Sequence, residues 1–238
     1  EYPAVTDLFE ATKPESPLLC SDLPDNIAAS ETLGNKQEVD EIFSNAHHVT
    51  RMELINNRLV GSPLEPRGLI CDIDPDDGKL ILHASHQSAT RLHGFLCSIF
   101  KLESDQLRII VGDVGGGFGT KVAIYPEDVL VVYAANKLNR PIKWTATRTE
   151  EFQASVHGRD HMNVAELACD PEGRIQALSV KTLANTGAYL INPALLIPLG
   201  LMSKVITSVY DIPAIYLETR CVLTNTAPIG AYLSLIHI

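Results

Sequence analysis

The chain has no excess of basic residues. Its 19 lysines and arginines stand against 29 aspartates and glutamates, a net charge of −10, and no basic cluster breaks that pattern. It therefore offers a phosphate backbone no electrostatic attraction, which argues against nucleic acid as a partner. Long apolar runs are also missing. The longest, ALLIPLGLM at residues 194–202, is too short to span a bilayer and contains Pro198 and Gly200. No membrane span and no signal peptide can be read. The five cysteines (Cys20, Cys71, Cys97, Cys169 and Cys221) form no C-x-x-C pair, so neither a zinc ribbon nor an iron–sulfur cluster held by this chain is expected. An odd, unframed set of thiols fits a reducing compartment, the cytoplasm, with each cysteine acting as a small buried hydrophobe.

What is present is globular: 45% hydrophobic and 20% charged residues, with mean hydropathy +0.07, over a length that fits one large domain or one domain plus part of another. Residues 1–36, rich in Pro, Ser, Asp and Glu and without a sustained period, read as an extended connector. From Glu38 the pattern sharpens. EVDEIFSNA predicts a helix, VTRMELINNRL a strand, and RGLICDIDPDDGKLILHAS a hairpin turning at Pro75 to Gly78. QSATRLHGFLCSIFK places Leu92, Leu96, Ile99 and Phe100 on one helical face, and LRIIVGDV returns as a buried strand. PEDVLVVYAANKL opens with Pro126, carries Glu127 and Asp128 in its first turn and Lys137 in its last, and so predicts a helix. Further strands are expected in RPIKWTAT, across the turn Asp170 to Gly173, and in AIYLETRCVLTNT, with a short helix in RTEEFQASV. Hairpins mixed with single helices indicate an α+β fold with a largely antiparallel mixed sheet rather than a doubly wound parallel one.

The most unusual stretch is RIIVGDVGGGFGTKV, residues 108–122. Walker A requires Gly, then Lys, then Ser or Thr, whereas Gly119 is followed by Thr120 and only then Lys121. The dinucleotide fingerprint requires G-x-G-x-x-G, whereas Gly115, Gly117 and Gly119 fall on alternate positions. Two readings remain open: a concavity of backbone N–H groups suited to an anion or a flat polar ring, or a tight turn under close packing. The H-x-x-H of His83 and His86 would place its side chains on opposite faces of a strand, which argues against a shared metal. In HGRDH, Arg159 and Asp160 are expected to fix a turn by hydrogen bonds, and Asn185 and Thr186 in ANTGAY to shape a strand end.

GDVGGGFGTK, NRPIKWTATRTEEFQASVHGRDHMNVAELACDPEGRI, ANTGAYL, YDIPAIY and TNTAPIGAY, in that order, closely resemble the molybdopterin-binding large subunit of the xanthine dehydrogenase and aldehyde oxidase family. Within it, the chain is most similar to the bacterial carbon monoxide dehydrogenase-like, aldehyde-oxidising branch. The resemblance implies the first molybdopterin-binding domain over residues 37–232, truncated, with residues 1–36 ending a preceding hammerhead-type domain. It implies molybdenum held by molybdopterin or its cytosine dinucleotide, with Gly115, Gly116, Gly117, Phe118 and Gly119 forming the cofactor loop. It also places Gln87 and Phe118 at the metal, the former by an amide hydrogen bond to an oxo ligand and the latter by its backbone. Iron–sulfur clusters and FAD are expected on a small and a medium partner subunit. The implied reaction is oxidation of an aldehyde, a nitrogen heterocycle or carbon monoxide, a small-molecule substrate, with water as oxygen source.

The departures narrow this expectation. Purine-oxidising members carry a glutamate after the loop lysine, where this chain has Val122, so a purine substrate is not expected. The block TNTAPIGAY should continue into an arginine, where Leu233 stands, and residues 233–238, LSLIHI, read as translated sequencing adapter. The general base of the family falls later in its chain, so no carboxylate here is expected to be catalytic. The other reading is a non-catalytic piece acting only in partial cofactor binding and subunit assembly.

Overall fold

A computed structural model describes residues 3–23, 25–191 and 194–232. The chain divides into two compact units, one made of residues 1–59 and 158–230 and the other of residues 60–157 and 231–238. The adapter reading of 233–238 lies outside the described residues.

The first unit is built on a five-stranded sheet. Its strands are β1 (Ile27–Gly34), β2 (His48–Asn56), β9 (His161–Cys169), β10 (Ile175–Gly187) and β11 (Ala214–Leu223), in the order β1-β11-β10-β9-β2. Only β10 and β11 run parallel; the other three pairings are antiparallel. Helix α1 (Lys36–Asn45) starts at Asn35, whose side-chain oxygen accepts from the N–H groups of Gln37 and Glu38. It buries Val39 against Ala168, Ala177, Ala214 and Tyr216.

Residues 27–34 correct the connector reading of residues 1–36. They form an edge strand whose burial shows no alternation, so no period of two marks it in the sequence. What folds the preceding segment is Asn26, fully buried and left-handed at φ 56°. Its amide donates to the carbonyls of Ala11 and Pro17, and its oxygen accepts from Leu19 N–H. Val5, Leu8 and Ala11 then pack on Val222.

The second unit carries a four-stranded sheet. Its strands are β4 (Gly68–Ile73), β5 (Leu80–Ala84), β6 (Leu107–Ile110) and β7 (Ile142–Thr145), in the order β6-β5-β4-β7 with only β5 and β6 parallel. Two short strands, β3 (Leu59–Val60) and β8 (His157–Gly158), lie where the chain passes between units. Helices α2 (Ala89–Phe100) and α3 (Pro126–Leu138) cover the sheet, burying Leu92, Leu96, Val131, Val132 and Ala135 against Leu69, Cys71, Leu80, Leu82 and Leu107. Each fully buried leucine contributes about 2 kcal/mol. Ile99, expected on the core face of α2, is instead 44% exposed, because the buried stripe runs through Leu92 and Leu96 and the helix ends one residue later at Phe100.

Helix α3 begins at Pro126 and stops at Asn139, left-handed at φ 49°. Asp128 stands in the first turn as expected and is buried there, with its Oδ2 accepting from Tyr125 N–H at 2.7 Å. Helix α4 (Arg148–Ala154) is closed by a reciprocal cap between Thr147 and Glu150. The remaining helical pieces are 3-10 turns at Glu10–Thr12 and Thr120–Val122, a π-helical turn Leu196–Leu201 and α5 (Met202–Val205). Among the described residues no helix is long and apolar enough to cross a membrane.

Candidate functional site

The glycine loop leaves β6 and lies entirely within the second unit. Its backbone needs glycine: Gly116 and Gly119 sit at φ 94° and 92°. Phe118 also adopts a left-handed conformation, at φ 52°, an unusual state for a bulky residue, and its side chain is about half exposed.

A Cβ on Gly117 would lie 2.4 Å from Cδ of Gln87, and one on Gly119 would lie 2.5 Å from the carbonyl oxygen of Ala231. The loop is therefore packed against Gln87 and against the end of TNTAPIGAY. Of the two readings open at the sequence level, the tight packing is real, but it does not use up the backbone donors. The N–H groups of Gly117 and Phe118 meet no acceptor among the described residues.

Gln87 follows the end of β5. Its side-chain oxygen accepts from Gly119 N–H at 2.9 Å and from Lys121 N–H at 3.1 Å, and its own backbone N–H donates to Lys121 O at 2.9 Å. Because both groups facing that oxygen are donors, the orientation of the amide is fixed: the NH2 points away from the loop backbone. No described residue accepts from it, and Gln87 is exposed. The site thus presents a neutral side-chain donor beside two unpaired main-chain donors.

His86 stabilises the same turn from below. It is 4% exposed; its Nδ1 accepts from Ser88 N–H, leaving the proton on Nε2 toward Ala123 O. Burial is the main influence on the imidazole and lowers its pKa, so it is neutral. His83, by contrast, is an exposed residue of β5.

Beneath the loop, Lys121 is fully buried and its ammonium meets Glu65 Oε2 at 2.9 Å. The same oxygen accepts from Gly115 N–H and from the Ser85 hydroxyl, both at 2.8 Å. Desolvation opposes ionisation of Glu65, but the hydrogen bonds from Lys121, Ser85 and Gly115 outweigh it and hold the carboxyl below its ordinary pKa. An open cleft of about 330 Å³ is lined by Glu65, Ser85, His83, Asp113 and Lys143; neither Gln87 nor Phe118 lines it.

Sequence reasoning missed Arg67. It is 5% exposed, stacks over Tyr125 with its guanidinium carbon 3.7 Å from the ring centroid, and bonds Ser155, Glu127 and, through its backbone N–H, Glu151. Arg148 fixes the turn before it by donating to the carbonyls of Pro63 and Leu64.

In the first unit, Asp160 meets the turn expectation. Arg159 and Asp160 are both left-handed at φ 65°, and the Asp160 carboxylate accepts from Arg58 Nε and Asn185 Nδ2 at 2.8 and 2.9 Å. Asn185 in turn accepts from Thr224 and from Gly187 N–H, so HGRDH, ANTGAY and TNTAP meet in one network.

The second unit thus presents a glycine loop with two unpaired N–H groups beside an oriented, uncharged amide, an arrangement suited to a ligand that carries exposed acceptor atoms. The family model for the molybdopterin cofactor-binding domain matches residues 20–235, and the chain belongs to that family. It is a molybdenum-cofactor-binding domain of the molybdenum hydroxylases. The large chain of carbon monoxide dehydrogenase from Hydrogenophaga pseudoflava is 31% identical over 97% of this chain and 30% of its own. Subunit gamma of the 6-hydroxypseudooxynicotine dehydrogenase complex from Paenarthrobacter nicotinovorans is 32% identical over 82% of this chain and 24% of its own. The crystal structure of quinoline 2-oxidoreductase from Pseudomonas putida 86 superposes with a TM-score of 0.90 at 31% identity, covering 98% of this chain and 29% of that one. The chain thus spans less than a third of the length of these relatives.

Proposed function

We propose that residues 37–232 form one wall of the molybdenum site in an oxidoreductase acting on an aldehyde, a nitrogen heterocycle or carbon monoxide, with Gln87 and the loop Gly115, Gly116, Gly117, Phe118 and Gly119 facing the cofactor. One observation carries this reading: the Gln87 oxygen is consumed by Gly119 and Lys121, so only the amide NH2 faces outward. A glutamine held in this way can donate to an oxo group without adding charge. The unpaired N–H groups of Gly117 and Phe118 fit the polar acceptors of a pterin, and the absence of side chains at Gly115 and Gly117 lets Glu65 and Gln87 pack directly against the loop backbone.

When bound, molybdenum would supply the two-electron redox step, and the protein contributes orientation and hydrogen bonds. Gln87 would hold an oxygen ligand in place through its amide, and the loop N–H groups would seat the pterin. Val122, partly exposed on the turn leaving the loop, has no group to hydrogen-bond a purine edge. This supports a smaller or less polar substrate. We further propose partner subunits carrying iron–sulfur clusters and FAD, and a cytoplasmic setting in keeping with the unpaired thiols of the chain.

The test is metal analysis and turnover of the full-length protein purified with its partner subunits. Stoichiometric molybdenum with oxidation of an aldehyde, a heterocycle or carbon monoxide is expected, and xanthine should not be turned over. A molybdenum-free protein, or one whose metal content and spectrum are indifferent to Gln87→Ala, would overturn the assignment.

A further inference from the structure

The geometry points to Glu65 as a positioning residue for the cofactor loop, acting through its ion pair with Lys121. This rests on the reading of Gln87 and the glycine loop as the cofactor wall. Among the described residues, Glu65 forms no hydrogen bond with Gln87 or Phe118. Yet its Oε2 gathers three donors from three places in the chain: Gly115 N–H where the loop opens, Lys121 Nζ where it closes, and the hydroxyl of Ser85, two residues before Gln87. Glu65 N–H also donates to Gly115 O at 3.1 Å, so residue 115 is held at both of its backbone polar groups. Lys121 completes the circuit, because its own N–H is one of the two donors that orient the Gln87 amide.

The energetics favour a brace over an incidental surface pair. The Lys121 side chain is fully buried, whereas that of Glu65 is 42% exposed. Glu65 is the one acceptor the ammonium has among the described residues, so neutralising the carboxylate would leave a buried cation without a counter-charge. Gly115 leaves no slack, since a Cβ there would lie 2.6 Å from Cβ of Glu65. A shift of the Glu65 segment is therefore passed to the loop rather than absorbed. Displacements on the scale of 1 Å at a positioned group cost catalysis on the order of 100-fold.

The experiment compares the full-length holoenzyme with Glu65→Gln, Lys121→Met and the double variant, reading kcat and KM, molybdenum per chain, the electron paramagnetic resonance spectrum of the reduced metal, and the melting temperature. Glu65→Gln should lower kcat about 10-fold or more with KM changed far less, shift the resonance spectrum and lower the melting temperature. The double variant removes the orphaned buried charge, so it should regain melting temperature while its spectrum stays shifted. Wild-type spectra and kcat in both Glu65→Gln and the double variant would overturn the inference, as would spectral recovery in step with melting temperature, which is what a purely structural pair predicts. Gln87→Ala serves as the reference. If it perturbs the spectrum and Glu65→Gln does not, only the brace fails; if neither does, the cofactor reading fails.

Discussion

The side chain of Gln87 accepts a hydrogen bond from the backbone of Gly119 across 32 residues of chain, at 2.9 Å. The loop thereby dictates which end of the amide faces outward, and the two ends of that amide can be tested separately. Gln87→Glu keeps an acceptor for Gly119 and Lys121 but removes both outward donors and adds a charge. It should fold with a melting temperature near wild type, while molybdenum content and kcat fall about 100-fold or more, in the range seen when a single oriented donor is lost. Metal analysis alongside calorimetry checks both halves.

Two glycines two residues apart should fail differently when given a methyl group. At Gly117 the three atoms nearest the added Cβ all belong to the side chain of Gln87, within 2.4–2.6 Å, so Gly117→Ala should displace that side chain and leave the fold intact. At Gly119 it meets the backbone of Ala231 from a left-handed φ of 92°, where an alanine is strained whatever the space. Gly119→Ala should therefore lose about 1–3 kcal/mol of stability, measurable by urea unfolding, whereas Gly117→Ala should lose cofactor at nearly wild-type stability.

Asp128 gives a pH dependence. Burial raises its carboxyl from 3.8 to about 6, against the Tyr125 N–H and Arg67, which favour ionisation. Its native pKa therefore lies above its unfolded one. Below about pH 4 the aspartate is protonated in both states and has no effect; between about pH 4 and 6 it ionises only when unfolded; above about 6 the folded protein bears the full penalty of a buried carboxylate, about 3 kcal/mol. Asn retains an oxygen to accept from Tyr125 N–H. Asp128→Asn should thus be more stable than wild type at pH 8, by about 1–3 kcal/mol, and indistinguishable at pH 4 in chemical denaturation.

Arg67 should not tolerate replacement. Its guanidinium serves Ser155, Glu127, Glu151 and the Tyr125 ring at once, a set of contacts a lysine ammonium cannot reproduce. Arg67→Met leaves Glu151, fully buried, without its counter-charge and should cost about 3–5 kcal/mol. Arg67→Lys should recover less than half of that loss, as read from denaturation midpoints.

The sequence revealed elements whose signals are local. Pro126 and the acidic first turn mark the start of α3, the Asp170–Gly173 turn divides β9 from β10, and three successive glycines announce a backbone approach before any fold is known. Gln87 was identifiable only through a family resemblance, because a lone polar residue before a helix carries no pattern. β1 escaped notice because an edge strand with IAASETLG has no apolar face to alternate. Glu65, Lys121 and Arg67 were illegible for a different reason. Their roles depend on partners 56 residues away for Glu65 and Lys121, and 58 to 88 away for Arg67, and the burial of Lys121 and Arg67 runs against every compositional expectation.

The chain leaves the first unit after Leu59 and re-enters it at Gly158, so residues 60–157 of the second unit are, in sequence, an insertion between β2 and β9. These two strands pair from His48–Cys169 to Asn56–His161, closing a loop of more than a hundred residues. Contacts so distant along the chain form slowly, whereas the hairpin and helices of the inserted part are local. During synthesis, the part bearing Gln87 and the glycine loop has all its strands once His157 is made, while the five-stranded sheet must wait for Leu223. Protease protection of ribosome-stalled chains should appear first around residues 60–157, and the carbonyl of Ala231 that confines Gly119 arrives only after that part is made.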